Sequence, residues 1–507
     1  MSLLGTLIRK GLEVNQSLAP RPKPPRLQQE EELRNLILTA QETAFGQYHG
    51  FRHMYSAPDI VKAFKAEVPI HTYEKMHGDW WHKQQVYENI TWPGKPAFFA
   101  LSSGTTGKSS KRIPVTEDII ESMRKVGLSL VRNIPDFDLP DGAFEGEVMM
   151  LSSSASLSEH EYGHLEGEIS GINVSNFPGW YDLFVRPGSE IATIGDWDSR
   201  IKRIVEEAPN WNIGSMAGIP SWNLLMIKEI MAHHKLDTIH DIWPNLSLYA
   251  NGGVAFETYR ADFEAVWGKP VTVIDTYLAS EGFFAYTAQP DTMAMRLAMA
   301  HGYFFEFIPF DERGVDGMGN LLEDPVSLNI DEVKLEEEYV LVVSTCAGAW
   351  RYAIGDTVKF TQLDPPEIKI TGRTKFFLNV VGSQLSEEKL DAGILEAAKA
   401  LDVSVNEYSV AALKNQDDQY YHQWIVVSEQ DINADEFAQH LDKSLQDSNK
   451  NYGVARHKAL HGVEVKAISK QQYHDYLASQ KKKGGQVKTP KVMPAEKMQA
   501  YLEFISS

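Results

Sequence analysis

Ser102-Ser103-Gly104-Thr105-Thr106-Gly107-Lys108-Ser109-Ser110-Lys111-Arg112 is the stretch from which the rest of the chain is read. Hydroxyl residues surround two glycines, and Lys108, Lys111 and Arg112 add positive charge. With so little side-chain bulk, backbone N–H groups and hydroxyls can close around phosphate oxygens. The apolar run from Ala97 to Leu101 reads as a buried strand, and Ile113-Pro114-Val115 as a second short strand. Thr116 then opens an amphipathic helix with Glu117 and Asp118 in its first turn. A Walker A loop needs a glycine where Ser102 stands and runs straight into a helix, so the P-loop NTPase reading is set aside. Two readings stay open here: a phosphate cradle and a plain flexible loop.

The chain has 507 residues, enough for two or more domains, and 43% of them are hydrophobic. A net charge of −20 argues against nucleic-acid and anionic-membrane partners, while leaving room for a local basic pocket. Cys346 is the one cysteine, which excludes an internal disulfide and points to a reducing compartment. No apolar run is long enough to span a bilayer. The short segment from Ser2 to Ile8, closed by Arg9 and Lys10, lacks the shape of a secretion signal. The expectation is a soluble cytoplasmic protein.

Taken in order, the proline-rich residues 20–26 read as an extended connector. A helix is expected from Glu30 to about Gln47, with Leu33, Leu36, Ile37 and Ala40 on one face. Another short helix is expected from Pro58 to Ala66, and Trp80 and Trp81 read as packing aromatics. Glu147 to Leu151 is a strand. His160-Glu161-Tyr162-Gly163-His164 matches the H-E-x-x-H zinc signature, which needs both histidines on one face of a stable helix. Gly163, Gly167 and Gly171 make poor helix, and Ser170 stands where a third metzincin ligand would fall. A zinc protease is therefore set aside, and the segment reads as a loop wall.

Pro220 to about His234 is a helix with proline in its first turn. Leu246 to Ala250 is a strand ending at Asn251-Gly252-Gly253, and Glu257 to Trp267 is a helix. Val271 to Ile274 is a buried strand leading into a polar turn, Asp275 to Gly282. Such alternation is α/β architecture, in which ligands sit at the carboxyl ends of the strands. That rule puts Gly252, Gly253, Tyr277 and Glu281 along one crevice. Tyr303 to Pro309 and Glu338 to Thr345 are further strands. Arg351 to Asp356 reads as a turn, and Thr357–Phe360 and Glu367–Thr371 as a hairpin across Asp364-Pro365-Pro366.

Past Gly372-Arg373 the pattern becomes helix, hairpin, helix: Ser386–Leu401, Glu407–Leu413 with Tyr420–Val427, then Ala434 to about Asn449. This is a small α+β domain, so we expect a large α/β domain over residues 1–376 and a small one over 377–507. Gly484 and Gly485 precede Lys488 and give that lysine freedom to swing.

Three motifs stand in order: the Ser102–Gly107 loop, Tyr277-x-x-Ser280-Glu281, and Tyr352-x-x-Gly355-Asp356. With Lys488 near the carboxyl end, and with Trp92-Pro93-Gly94-Lys95 and Gly484-Gly485-Gln486-Val487-Lys488-Thr489-Pro490 in support, the chain resembles the adenylate-forming (ANL) superfamily. Within it the likeness is greatest to the Gretchen Hagen, or auxin-responsive-promoter, family of acyl-acid amido synthetases. It extends from about Leu36 onward.

The resemblance implies a large multi-sheet adenylate-forming domain, a small mobile C-terminal domain and a two-step reaction. A carboxylate attacks the α-phosphate of magnesium ATP, giving an acyl-adenylate and pyrophosphate; the amine of an amino acid then takes the acyl group and AMP leaves. Ser102, Ser103, Gly104, Thr105, Thr106 and Gly107 are expected to hold the phosphates. Glu281 offers a hard carboxylate for magnesium, with Ser280 beside it. Asp356 can accept both ribose hydroxyls, Tyr277 offers a flat face to adenine, Gly252-Gly253 lets backbone come close, and Ser280, Glu281 and Arg373 are also expected at the nucleotide. Lys488 is the catalytic residue, an electrostatic clamp between substrate carboxylate and α-phosphate.

The small domain is expected to swing about Gly372-Arg373-Thr374-Lys375. Lys375 stands where broader superfamily members carry an aspartate, which separates the chain from ordinary acyl-CoA ligases. Arg351 precedes Tyr352, an inverted order that leaves Asp356 the firmer nucleotide ligand of the two. Phe283, Phe284 and Tyr286 are candidates for the wall of an acyl pocket between the 117–133 helix and residues 160–225, and would suit an aromatic or apolar acid. The alternatives are an acyl-CoA ligase with the same first step and a non-catalytic acyl or nucleotide binder.

Overall fold

Residues 147–279 alternate strand and helix, and they build the parallel half of an eleven-stranded sheet. In spatial order that half runs Val185–Arg186, Glu147–Leu151, Ile213–Gly218, Leu248–Gly252 and Thr272–Ala279, each strand parallel to the next. A parallel sheet must be covered on both faces. Ile201, Ile204, Leu224, Ile227, Ile230 and Phe263 on the helices between strands pack one face against Met149, Ile213, Met216 and Tyr249. Phe137 and Leu139 cover the other, against Leu248 and Ile274.

The sheet continues antiparallel through Gly282–Tyr286, Met295–Leu297, Pro366–Arg373, Tyr352–Leu363 and Glu338–Thr345 to Tyr303–Pro309. The Pro25–Ala40 helix docks on this half, burying Leu33, Leu36, Ile37 and Ala40, the face that the apolar spacing picked out. A separate four-stranded sheet has the order Lys111–Val115, Phe98–Ser102, Leu165–Gly167, Ser158–Glu159.

The computed structural model describes residues 3–18, 23–102, 111–253, 256–316, 319–374, 378, 383, 385, 387–416, 419–458, 460–480 and 489–506. Its last third holds a three-stranded sheet, Glu407–Lys414, Tyr420–Val427 and Leu460–Ile468. Strand periodicity sorts the side chains to two faces. Val410, Trp424 and Val426 face the Glu387–Ala400 and Ala434–Ser448 helices; Ala411, Ile425 and Val427 face Tyr473, Tyr476, Met498 and Tyr501. This domain touches the large one through Tyr259 Oη donating to Glu407 (2.8 Å), Asn406 to Asp262 (2.6 Å) and Lys359 to Glu388 (3.0 Å).

Several boundaries differ from the sequence reading. The helix start at Pro25 puts proline in its first turn, so Pro25 and Arg26 are not connector. The helix expected to reach Gln47 breaks after Ala40, where Thr43 caps a new short helix, Ala44–Tyr48. Asp275 to Ala279 is strand rather than turn; only Ser280 and Glu281 turn the chain, with Gly282 paired to Ala279. Residues 352–356 are strand too, because the neighbouring strands on both sides hydrogen-bond them and a bulge absorbs Gly355 at φ +95°.

Candidate active site

The carboxyl ends of the parallel strands bring Leu151, Gly218, Gly252 and Ala279 to one edge. Gly253 sits at φ +82°, where a side chain is strained, and a Cβ on Gly252 would lie 3.1 Å from Thr276 Oγ1. Beside this edge the Ser280–Glu281 turn is fixed by two paired strands. Glu281 is 8% exposed, and burial raises its carboxyl above the usual range; Lys111 pulls it down and Asp356 pushes it up. The buried hydroxyl of Tyr352, without a completed hydrogen bond among the described residues, lies in the field of Glu281.

Asp356 is held from two directions. It pairs across the sheet with Arg373, whose Nε donates to Oδ1 at 2.7 Å. Tyr277 Oη donates to Oδ2 at 2.6 Å. The charge of Asp356 in turn raises the pKa of Arg373, which keeps the guanidinium charged. Tyr277 itself is buried, with Phe284 against its ring edge to face at 5.5 Å. Its hydroxyl is thus committed to Asp356, and its ring is core rather than the open platform for adenine that the sequence led us to expect.

The two ends of the Ser102–Arg112 stretch are joined in one sheet. Ser102 pairs with Lys111 across antiparallel strands, and the strand expected before the Thr116-capped helix is present, unlike a Walker A arrangement. Residues 103–110, with Ser103, Gly104, Thr105, Thr106 and Gly107 among them, lie outside the described residues. The loop's exit is tied down three times. Arg112 N donates to Tyr73 Oη (2.9 Å), Lys111 Nζ stands over the Tyr73 ring at 5.0 Å, and the Arg112 guanidinium bonds Glu166 at 2.6 and 3.3 Å. Tyr73 and Glu166 escaped the sequence reading. No local pattern marks them, since their partners are 39 and 54 residues away.

Arg351 is spoken for. Its guanidinium is buried on Glu306 at 2.9–3.2 Å and donates to the carbonyls of Lys65 and Val68. Phe284 is fully buried among Tyr277, Tyr303 and Phe305, which removes it as a pocket wall. Tyr286 is 7% exposed and Phe283 half-buried. Cavities of 280 and 390 Å³ open beside Arg186–Ser189, the larger polar and the smaller walled by Met150, Ala155, Val174, Phe177 and Ala192; none of the three aromatics lines either.

Lys375 and Lys488 also lie outside the described residues. The chain after Lys488 is anchored. Thr489 bonds Tyr473, Ser409 Oγ donates to Pro490 O, and Val492 bridges Val410. Lys491, half-buried, pairs with Asp391 (2.7 and 2.8 Å) and Glu387 (2.9 Å), and Tyr408 Oη also donates to Asp391.

Comparison with known proteins gives these observations a family. The GH3 family N-terminal, central and C-terminal domains match residues 22–202, 296–373 and 388–497. Among curated relatives, the indole-3-acetic acid-amido synthetase GH3.2 of Arabidopsis thaliana is 28% identical over 170 residues, 32% of this chain and 30% of that protein. The jasmonoyl–L-amino acid synthetase JAR4 of Nicotiana attenuata is 28% identical over 169 residues, 32% and 28% of the two chains. These alignments thus span about a third of the relatives' length. A GH3.15 acyl acid amido synthetase structure shares the fold at a TM-score of 0.77 and 16% identity, over 98% of this chain and 96% of the other. A 2-hydroxyisobutyryl-CoA ligase structure shares it more distantly, at 0.58 and 11% identity over 94% and 91%. With three successive domain matches taking in well over half of the residues, on a fold shared along nearly the whole chain, the protein belongs to the GH3 family.

Proposed function

We propose that the protein is an ATP-dependent acyl acid amido synthetase, which adenylates a carboxylic acid and passes the acyl group to the amine of an amino acid. The observation that carries this reading is the Tyr277–Asp356–Arg373 array beside Glu281, with the tyrosine and the carboxylate buried and the guanidinium half exposed, next to the carboxyl ends of the parallel strands. The names of the relatives support the acceptor class. ATP enters as substrate: the Ser102–Gly107 segment holds the phosphates, and Gly252 and Gly253 give the nucleotide close backbone approach. Asp356, its oxygens oriented by Tyr277 and Arg373, uses its remaining lone pairs on the ribose hydroxyls.

Glu281 and Ser280 fit a magnesium ion. A buried carboxylate with the Tyr352 hydroxyl facing it suits a cation that keeps most of its waters. Bound there, magnesium would neutralise phosphate charge and orient the leaving pyrophosphate. Lys488 stabilises the charge that builds between the attacking carboxylate and the α-phosphate. Residues 1–376 carry the ATP and acyl sites, with Phe283 and Tyr286 left as the pocket candidates. Residues 377–507 move to deliver and withdraw Lys488 about the Gly372–Lys375 segment.

Cys346 is the one cysteine and is buried as a free thiol, so no internal disulfide forms, which suits a reducing, cytoplasmic setting. Among the described residues no helix is long and apolar enough to cross a membrane. The reading is tested by supplying acid and ATP with either the twenty amino acids or coenzyme A and weighing the product. An amide with AMP release supports it; a thioester as the preferred product overturns the acceptor assignment.

A further inference from the structure

The H-E-x-x-H segment fails as a helical zinc motif, yet the fold brings its histidines together by another route. Ser158–Glu159 and Leu165–Gly167 form a tight hairpin. His160 N donates to His164 O at 2.9 Å, and Gly163 turns the chain at φ +80°. Residues directly opposite in a hairpin put their side chains on the same face, and so do residues two apart on one strand. His160, His164 and Glu166 therefore share a face. The His160 and His164 rings stack at 4.5 Å, 12° from parallel, and His164 Nε2 lies 3.1 Å from Glu166 Oε1.

We propose that this hairpin face binds a zinc-class divalent cation through His160, His164 and Glu166. One ligand atom from each residue lies within 4.8 Å of the other two. Ligands about 2.1 Å from a tetrahedral zinc are roughly 3.4 Å apart, so the 3.1 Å His164–Glu166 separation is close to fitting, and the His160 ring turns out of its stack with His164 so that its in-plane lone pair meets the ion. A second observation points the same way. His164 has a side chain with 0% exposure, and its Nδ1 has no hydrogen-bond partner. A buried polar atom left unpaired is where an ion or water belongs. A ring flip turns that nitrogen toward the site and releases Nε2 from Glu166, so either nitrogen of His164 is available as the ligand.

Two imidazoles and one carboxylate are borderline ligands, which select zinc, nickel or copper over magnesium. Three protein ligands leave a position for water. Arg112 shares Glu166, and Lys95 lies close by with its ammonium on Tyr162 O, so two cations weaken the site. The inference is independent of the proposed reaction, although it sets the ion one salt bridge from the exit of the Ser102–Arg112 loop.

The test is titration of the metal-free full chain with zinc sulfate against a chromophoric chelator, with magnesium chloride in parallel. One equivalent bound with Kd of about 1–30 µM is expected, with at least about tenfold weakening in His160→Ala and in Glu166→Gln, and no change in the distant His233→Ala. Half-exposed His160 can be replaced without opening the core, and a thermal melt checks that the variant is folded. Cobalt(II) gives a second readout, a d–d spectrum that His160→Ala abolishes. No saturable zinc binding below about 100 µM, or equal binding by wild type and His160→Ala, would overturn the proposal.

Discussion

Tyr277 and Asp356 are 79 residues apart in sequence, and the Tyr277 hydroxyl donates to Asp356 Oδ2 at 2.6 Å. With Arg373 on the other oxygen, both carboxylate oxygens point in fixed directions before any ligand arrives. Orientation of this kind is what a ribose site needs, because it lowers the entropy lost on binding.

Tyr277→Phe removes one donor from a buried carboxylate and keeps the ring in the core. A hydrogen bond to a charged group contributes about 1.5–3 kcal/mol. The KM for ATP in pyrophosphate exchange should rise about 10- to 100-fold, and the thermal midpoint should fall modestly because the buried carboxylate loses a donor in the free protein as well. An unchanged KM would remove Tyr277 from the site.

Arg351 is assigned to the fold rather than to the nucleotide. Arg351→Met takes the nearest cation from the Glu306 carboxylate, which is 1% exposed, and leaves it Ser327 Oγ and a Lys65 ammonium 3.8 Å away; it should cost about 3–5 kcal/mol in denaturant unfolding. Arg351→Met with Glu306→Leu should recover much of that. If Arg351→Met alone left stability intact and abolished ATP binding, the assignment would be reversed.

Lys491 is a positioning residue in this account. Its half-buried pairs with Asp391 and Glu387 fix the chain three residues beyond Lys488, and a displacement of about 1 Å can cost as much as 100-fold in rate. Lys491→Met should slow adenylation more than about tenfold while leaving amide formation from a supplied acyl-adenylate nearly unchanged, and Lys491→Arg should restore much of the loss. Equal loss in both half-reactions would mean a purely structural role.

His422 gives the small domain an acid-sensitive core. It is fully buried, neither ring nitrogen has a partner among the described residues, and burial lowers its pKa from 6.5 to about 3. The unfolded chain therefore takes up the proton first as pH falls. The contribution to stability is complete above pH 6.5 and is lost progressively toward pH 3, at ~1.4 kcal/mol per unit. His422→Leu should flatten this acid limb in denaturation series at pH 4–7; an unchanged limb would assign it to other groups, such as His71, whose pKa burial lowers to about 4.

The sequence and the structure agree wherever local pattern decides the outcome. The Tyr303–Pro309 and Glu338–Thr345 strands and the Pro220–His234 helix occupy the expected residues, because continuous apolar runs and a first-turn proline leave little choice. Arg351–Asp356 read as a turn since Gly355-Asp356 has turn chemistry, but pairing on both sides draws residues 352–356 into the sheet. For Tyr277 the sequence marked an aromatic residue without telling whether its face or its hydroxyl serves the site. Glu166 was illegible for a stronger reason, because only the parallel pairing of Phe98–Ala100 with Leu165–Gly167 brings it near Arg112.

Carboxylate-dependent exchange of pyrophosphate into ATP tests the central claim most directly. It would be measured over a panel of aromatic, indolic, benzoic and fatty acids with wild type, Lys488→Ala and Glu281→Gln. The account predicts exchange with one class of acid, reduced at least about 100-fold in both variants. Exchange that persists undiminished in Lys488→Ala, or tight ATP binding without exchange for any acid, would contradict it.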